Sequence, residues 1–453
     1  MFKSNVLLGK YLKKYQRFIV IGLYGISFIL IPIVLGIVLA SSHIEMHIVG
    51  DFWATLAGIM FLSNVFGFGS ERLVTIYAQR FKHLYARSFK INLVHVIKFF
   101  LVMFAIIGGV TLLVDLIVYL LLLNKVVLLP KHIHHPILLC FFCIFFFMTA
   151  RFLGAFLHGE GFQLCVMRYS IYTNFTRIIA VYLVVHYATY FETSIGSEYN
   201  LVFTLCLVLS LSELIRIIGY SVQIVRHLRT MPNSETDQLD TSWKKSLWYF
   251  GLYSLQYDWL VVITILVEMF GASESEPAII GYLIGVIRVF YLLSFVTQQL
   301  IRVKLAQFSA QQANLIPYLR KISKVFISVL ILVFALVLIF AHQLLLHYKI
   351  PQLLPQLLIL VLIGACKAYG EAILVNFIFT TANKIIRGFV LGSSLIYFGF
   401  IGAIITVAPA GINGVLDSFI IFYALIALFE LVYGLIALRV IVRTQQNYTL
   451  LTL

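Results

Sequence analysis

Charge is scarce in this chain. Only 11% of its 453 residues are charged, whereas 62% are hydrophobic, and a soluble protein carries about 25% charged residues. A soluble fold cannot bury this much apolar surface. Lipid accepts it when helices satisfy their own backbone hydrogen bonds. The low charge therefore excludes an ordinary soluble domain and predicts an all-α integral membrane protein.

Motifs of common catalytic chemistry are also missing. The five cysteines lie in or beside apolar segments, so they predict no disulfide framework. The sequence has no P-loop and no H-E-x-x-H motif, and the three histidines of 132–135 have no acidic or cysteine companion. We therefore predict no cofactor and no metal site. Without a nucleotide site, any active process would have to run on an ion gradient, a substrate gradient or the membrane potential.

Apolar runs of membrane-spanning length repeat along the whole chain. They predict about twelve transmembrane helices, at 17–40, 49–68, 94–123, 136–157, 169–190, 199–225, 244–268, 277–303, 323–347, 352–379, 387–409 and 412–440. A polar linker at 226–243 divides them into an N-lobe, 1–225, and a C-lobe, 244–453. Two six-helix halves of the same orientation are typical of parallel repeats, and such transporters place the substrate path between the halves.

The positive charge is distributed unevenly between the two sides of the predicted bundle. The net charge is +15, which in a soluble chain would suggest a nucleic-acid partner. Here 25 of the 33 Lys and Arg residues lie in loops on the side of the N-terminus. This asymmetry predicts that both termini are cytoplasmic, and it gives no reason to expect a nucleic-acid partner.

A few charged residues fall inside the apolar runs. A charge at the bilayer centre costs about 2.5–3.5 kcal/mol on insertion scales, so it faces a cavity or a partner. The candidates for a cavity-lining, substrate-binding role, with one amide, are Arg288, Lys367, Arg177, Asp258, Glu371 and Asn64. We expect Arg288→Ala or Lys367→Ala to abolish function without loss of expression.

The same residues have a structural explanation that stays open at this point. Lys367 with Glu371 has the spacing of an ion pair within one helix, and so has Glu213 with Arg216. Asp258 could pair with Arg288 as a brace between helices. In either case the charge would stabilise the bundle instead of contacting a substrate.

Three segments resemble one family of membrane transporters. They are Gly50 to Arg72, with its glycine-rich end, Phe152 to Gly161, a turn of small residues, and Tyr253 to Leu305, which contains Ile280-Gly-Tyr-Leu-Ile-Gly. These segments, with the twelve-span plan, resemble the multidrug/oligosaccharidyl-lipid/polysaccharide (MOP) exporter superfamily. Within it, they look like the polysaccharide or O-antigen flippases. The resemblance implies a MATE/MOP-like fold of two parallel lobes.

The resemblance also implies a function. The protein is expected to be a non-enzymatic transporter that flips a lipid-linked oligosaccharide across the bacterial inner membrane by alternating access. Its partners would be that substrate, membrane lipids and a coupling ion, either proton or sodium. One alternative is an ion-coupled drug or organic-cation antiporter of the same superfamily, for which acidic residues such as Asp258 would serve. A less favoured alternative is a membrane enzyme that acts on lipid-linked glycan.

Overall fold

The computed structural model of the chain describes residues 2–41, 44–67, 97–98, 101–102, 105, 109, 137–191, 198–230, 252, 259–310, 316–381 and 383–451. The regular structure in these ranges is helical. The α-helices are α1 (Phe2–Ser41), α2 (Met46–Gly67), α3 (Ile137–Gly159), α4 (Gln163–Phe191), α5 (Glu198–Leu211), α6 (Glu213–Thr230), α7 (Trp259–Phe270), α8 (Glu276–Ala310), α9 (Ile316–His347), α10 (Leu354–Tyr369), α11 (Asn376–Thr381), α12 (Asn383–Val407) and α13 (Ile412–Leu451).

Most predicted spans correspond to helices of the structure. Eight segments of the described residues are long and apolar enough to cross a membrane: Ile19–Ser41, Met46–Ser63, Leu201–His227, Glu276–Arg302, Ile316–His347, Pro351–Phe379, Ile385–Ala410 and Ile412–Val440. The fourth and fifth predicted spans correspond to α3 and α4. Most of the third span, and more than half of the seventh, lie outside the described residues. Helix α6 continues to Thr230, so the first residues of the predicted linker at 226–243 are helical.

Two tight turns reverse the chain between spans. After α3, Gly161 has φ +97°, and the amides of Gly161 and Phe162 donate to the carbonyls of His158 and Leu157. After α9, Lys349 has φ +61° and makes the same pattern of bonds with its neighbours. This is the Schellman motif, which satisfies the last carbonyls of a helix. The turn of small residues at 152–161 is thus a helix end of defined geometry.

Two spans are irregular at membrane depth. The sixth span is interrupted at Ser212, so that α5 ends at Leu211 and α6 begins at Glu213. The tenth span contains a π-helical segment, Gly370–Val375, between α10 and α11. Irregular backbone inside a membrane protein is tolerated where it is buried in protein or lines a cavity, and π-helical turns are frequent at functional sites. Both irregularities adjoin buried charged residues.

In the described chain, α1 and α2 of the N-terminal half meet α7, α8 and α9 of the C-terminal half. Helices α1 and α2 pack against α8, and α2 also packs against α7. One part of this contact lies where α1 ends and α2 and α8 begin, between residues 36–53 and 274–285, and we call this region the interlobe seam. Trp53 lies against Gly281 there, and Gly36 lies against the Tyr348 hydroxyl. The seam is a closed contact between the halves at one end of the bundle.

Gly281 is expected to be essential for closing the interlobe seam. A Cβ atom at Gly281 would lie 2.5 Å from Cδ1 and Cγ of Trp53, which is 6% exposed. Gly281→Ala should therefore force α2 and α8 apart, and overpacking of this kind costs about 1–3 kcal/mol. We expect Ala278→Cys, in a cysteine-free background of the purified protein, to react with maleimide several-fold faster when Gly281→Ala is added.

Gly285→Ala is the matched control, one turn further along α8. Among the described residues its Cβ would meet only the Pro32 carbonyl oxygen, at 3.6 Å, which is ordinary van der Waals contact. It should leave the labelling rate of Ala278→Cys unchanged. Equal rates in the two alanine variants would show that the packing of Trp53 on Gly281 does not hold the seam closed.

Candidate functional site

Three buried side chains form an ion cluster in the C-terminal half, which we call the C-terminal cluster. Lys367 Nζ lies 3.4 Å from a Glu371 carboxylate oxygen and 3.3 Å from a Glu430 carboxylate oxygen. The three side chains are 8%, 1% and 3% exposed. Lys367 and Glu371 lie four residues apart in the tenth span, and Glu430 lies on α13. When all three are ionised, two negative charges surround one positive charge.

The backbone and a polar chain of side chains support this cluster. Glu371 is the second residue of the π-helical segment, and its carbonyl oxygen accepts a hydrogen bond from Gln298 Nε2 at 3.3 Å. Arg302 donates to Gln298 Oε1 at 3.0 Å and to Asn376 Oδ1 at 3.4 Å. The polar residues Gln298 and Arg302 of α8 therefore connect the cluster to Asn376.

A second ion cluster lies in the N-terminal half, and we call it the N-terminal cluster. Glu213 is paired with both Arg177 and Arg216. Arg177 Nε also donates to Ser212 Oγ at 2.9 Å, and Arg216 donates to Asn174 Oδ1 at 3.3 Å. Glu213, at the start of α6, thus joins α4 to the interrupted sixth span. Two arginines share this single carboxylate.

Aromatic rings and helix α1 complete the surroundings of the N-terminal cluster. The Arg177 guanidinium lies 5.3 Å from the centre of the Phe147 ring, and the Arg216 guanidinium lies 5.8 Å from that of Phe28. Cation–π contacts of this kind stabilise a desolvated arginine. Phe28 in turn contacts Phe295 of α8, with ring centres 5.9 Å apart. The cluster is therefore linked through α1 to the C-terminal half.

Arg288 occupies a third position, between the halves. It lies on α8, is partly exposed, and its guanidinium approaches the sulfur of Met60 on α2 at 3.7 Å. Within the part of the chain that the structure describes, no carboxylate lies within ion-pair distance of it. Arg288 is thus a cation at the contact between the halves, with no ion-pair partner among the described residues.

The candidate site residues from the sequence do not form one cluster. Arg177 belongs to the N-terminal cluster, Lys367 and Glu371 belong to the C-terminal cluster, and Arg288 lies between the halves. Asp258 is outside the described residues, and so is any pairing of it with Arg288. Asn64 lies in α2, but its side chain is outside the described part of the structure. A role for any of these residues in binding a substrate stays a prediction.

Some of these contacts could be predicted from the sequence, and others could not. The i,i+4 spacing predicted that Lys367 meets Glu371, and the structure confirms the pair. The i,i+3 pair of Glu213 with Arg216 is also present, but Glu213 additionally holds Arg177. The contact of Glu430 with Lys367 was not predicted. The only available signal for it was the presence of an acidic residue inside an apolar run.

The chain is similar to solved structures, but no similarity is found in its sequence to a known family or a curated protein. No family model matches the chain, and no curated protein matches it. A multidrug resistance MATE family transporter of the MOP superfamily, solved in an outward-facing conformation, aligns over 94% of this chain and 96% of its own, with a TM-score of 0.60 and 14% identity. A eukaryotic MATE transporter aligns over 94% and 96%, with a TM-score of 0.59 and 13% identity.

This chain has the fold of the MATE transporters. A MOP superfamily transporter from Pyrococcus furiosus has it too, aligning over 92% of this chain and 95% of its own at a TM-score of 0.55 and 13% identity. MATE structures have 12 helices, so the predicted all-α fold class with two six-helix lobes is confirmed. At identities of 13–14% the likeness establishes the fold and not the substrate.

Proposed function

We propose that the protein is a secondary transporter that moves its substrate by alternating access between its two lobes. The observation that carries this proposal is the MATE fold over 94% of the chain. The contact of α1 and α2 with α7 and α8 supports it, because rocking of one lobe against the other would open and close this contact. The positive-inside asymmetry supports cytoplasmic termini, and we propose the bacterial inner membrane as the location.

Export of drugs or organic cations is the better supported substrate class. The structural neighbours include a multidrug resistance transporter, and the C-terminal cluster offers two carboxylates, Glu371 and Glu430, beside one lysine. Carboxylates at membrane depth attract cations and protons. We infer that a coupling proton or sodium ion would bind at this cluster, in exchange for a cationic substrate.

Flipping of a lipid-linked oligosaccharide is the second candidate, and Arg288 is the observation that favours it. A cation between the lobes suits a pyrophosphate or an acidic sugar, to which arginine makes charge-assisted hydrogen bonds. The Pyrococcus furiosus transporter is described as having a binding pocket of reverse polarity, which suggests a different function for it. The charge that a MATE fold presents to its substrate therefore needs a direct test here.

Arg288→Gln distinguishes the two substrate classes by the sign of its effect. For a cationic substrate the change removes a repulsive charge, so we expect efflux of a fluorescent organic cation from intact cells to be unchanged or faster. Lys321→Gln is the control, because Lys321 is an exposed cation at the start of α9. A fall of tenfold or more, at normal expression and only in the Arg288 variant, would contradict the cation assignment.

The flippase candidate has its own readout. Deleting the gene should make lipid-linked glycan accumulate inside the cell while surface polysaccharide disappears. A plasmid that carries Arg288→Gln should fail to restore the surface polysaccharide. Normal surface polysaccharide in the deletion strain would remove this candidate. Failure of both assays, with purified protein well folded, would contradict the transporter proposal itself for these substrate classes.

A further inference from the structure

The N-terminal cluster holds more positive charge than its carboxylate neutralises. Arg177 and Arg216 share Glu213, and the side chains are 12%, 10% and 2% exposed. Over residues 2–41, 44–67, 137–191 and 198–230 and the rest of the described chain, no second carboxylate pairs with Arg177 or Arg216. Burying a charge without a counter-charge is costly.

Hydrogen-bond donors are in excess as well. Glu213 accepts from Arg177 and twice from Arg216, and Asn174 Oδ1 accepts once more. Arg216 is 8% exposed, yet its Nε finds no partner among the described residues. The Thr173 hydroxyl, on the same helix as Asn174, is fully buried and also lacks one there. Among the described residues Arg216 Nε therefore lacks an acceptor, and a negative acceptor would also balance the charge of the second arginine.

The interruption of the sixth span gives an independent indication of the same kind. Helix α6 begins at Glu213, inside the candidate span Leu201–His227. The first turn of a helix carries a partial positive charge that favours anions. Half-helices that start at membrane depth also mark anion sites in transporters. The carbonyl end of α5 adjoins this point, and Ser212 N donates to the Val208 carbonyl at 3.0 Å across the interruption, so the start of α6 is a minor addition to the charge of the two arginines.

We propose that the N-terminal cluster binds one small inorganic anion, of the halide or phosphate class, beside Arg216 and the start of α6. The anion would accept from the Arg216 guanidinium and supply the missing negative charge. This site does not depend on the proposed function, since it rests on charge and donors alone. Asn174 donates to Ser27 of α1 at 3.1 Å, so the site contacts the helix that packs against α8.

The test is anion-dependent stability of the purified full-length protein. Its thermal midpoint is measured in neutral detergent as sodium gluconate is replaced by sodium chloride, and separately by sodium phosphate, at constant ionic strength. We expect a saturable rise of about 3 °C at a hundredfold excess over Kd. A parallel series in nanodiscs with and without phosphatidylglycerol separates the sources. A response to the lipid alone would identify a lipid headgroup phosphate as the anion.

Asn174→Asp tests whether the effect arises at this cluster. It places a negative charge on the atom that already accepts from Arg216, with little change in shape, so it should abolish the anion-dependent rise. Asn413→Asp adds the same charge at an exposed position of α13 and should retain the rise. If Asn174→Asp aggregates, Arg216→Gln makes the same comparison. Absence of any anion response, or an equal response in the cluster variant, overturns the proposal.

Discussion

Lys367→Met is expected to destabilise the protein by about 3–5 kcal/mol, since it removes one partner from a buried ion cluster. Glu371 and Glu430, which are 1% and 3% exposed, would lose the ammonium they share. A methionine fills much of the same volume, so the loss is electrostatic and not a cavity effect. The measurement is the unfolding midpoint of the purified protein, together with the fraction that elutes as a monodisperse species.

Two further variants make the Lys367 result specific. Lys321→Met is the matched control, because Lys321 is an exposed lysine of α9, and it should change stability by less than about 0.5 kcal/mol. Adding Glu430→Gln to Lys367→Met should restore part of the loss, since neighbouring ions couple and their effects do not add. Strictly additive effects would show that the two side chains do not act as a pair.

This result would also revise an expectation drawn from the sequence. Sequence analysis predicts that Lys367→Ala abolishes function without loss of expression, as for a side chain that only contacts a substrate. The structure places Lys367 between two buried carboxylates. We now expect lower expression of the Lys367 variant, and normal expression of the Arg288 variant. Arg288 therefore remains the more informative position for substrate charge.

Helices and local pairs of the fold could be predicted from the sequence. A span needs only a run of apolar residues of sufficient length, so α9 and the tenth, eleventh and twelfth spans were predicted close to their observed bounds. The pairing of Lys367 with Glu371 follows from helical spacing alone. These features depend on residues that are near one another in the chain, so local sequence patterns predict them.

Contacts between helices and local backbone irregularities could not be predicted. Glu430 meets Lys367, and Arg177 meets Glu213, only because the helices pack in one particular arrangement. A single sequence contains no direct signal of that packing. The interruption at Ser212 and the π-helical segment Gly370–Val375 leave average hydropathy almost unchanged. Both spans therefore have the apolar pattern of continuous helices.

Charge balance differs between the two clusters, and this difference leads to the second large prediction. The C-terminal cluster has two acids for one lysine, whereas the N-terminal cluster has two arginines for one acid. In each cluster one side chain is the shared counter-ion of the two others: Lys367 in the C-terminal cluster and Glu213 in the N-terminal cluster. Removal of the shared counter-ion should therefore lower the stability far more than removal of either of the other two side chains. The first change breaks both ion pairs, whereas the second breaks one and leaves a balanced pair.

Glu213→Gln is accordingly expected to cost about 3–5 kcal/mol, because it leaves two buried arginines with no carboxylate between them. Arg216→Met should cost less, since Arg177 and Glu213 then form a balanced pair. Glu45→Gln, at an exposed carboxylate that pairs with His47, is the control and should be close to neutral. Unfolding midpoints of the three purified variants give the order directly, and a larger loss for Arg216→Met than for Glu213→Gln would contradict this account of the cluster.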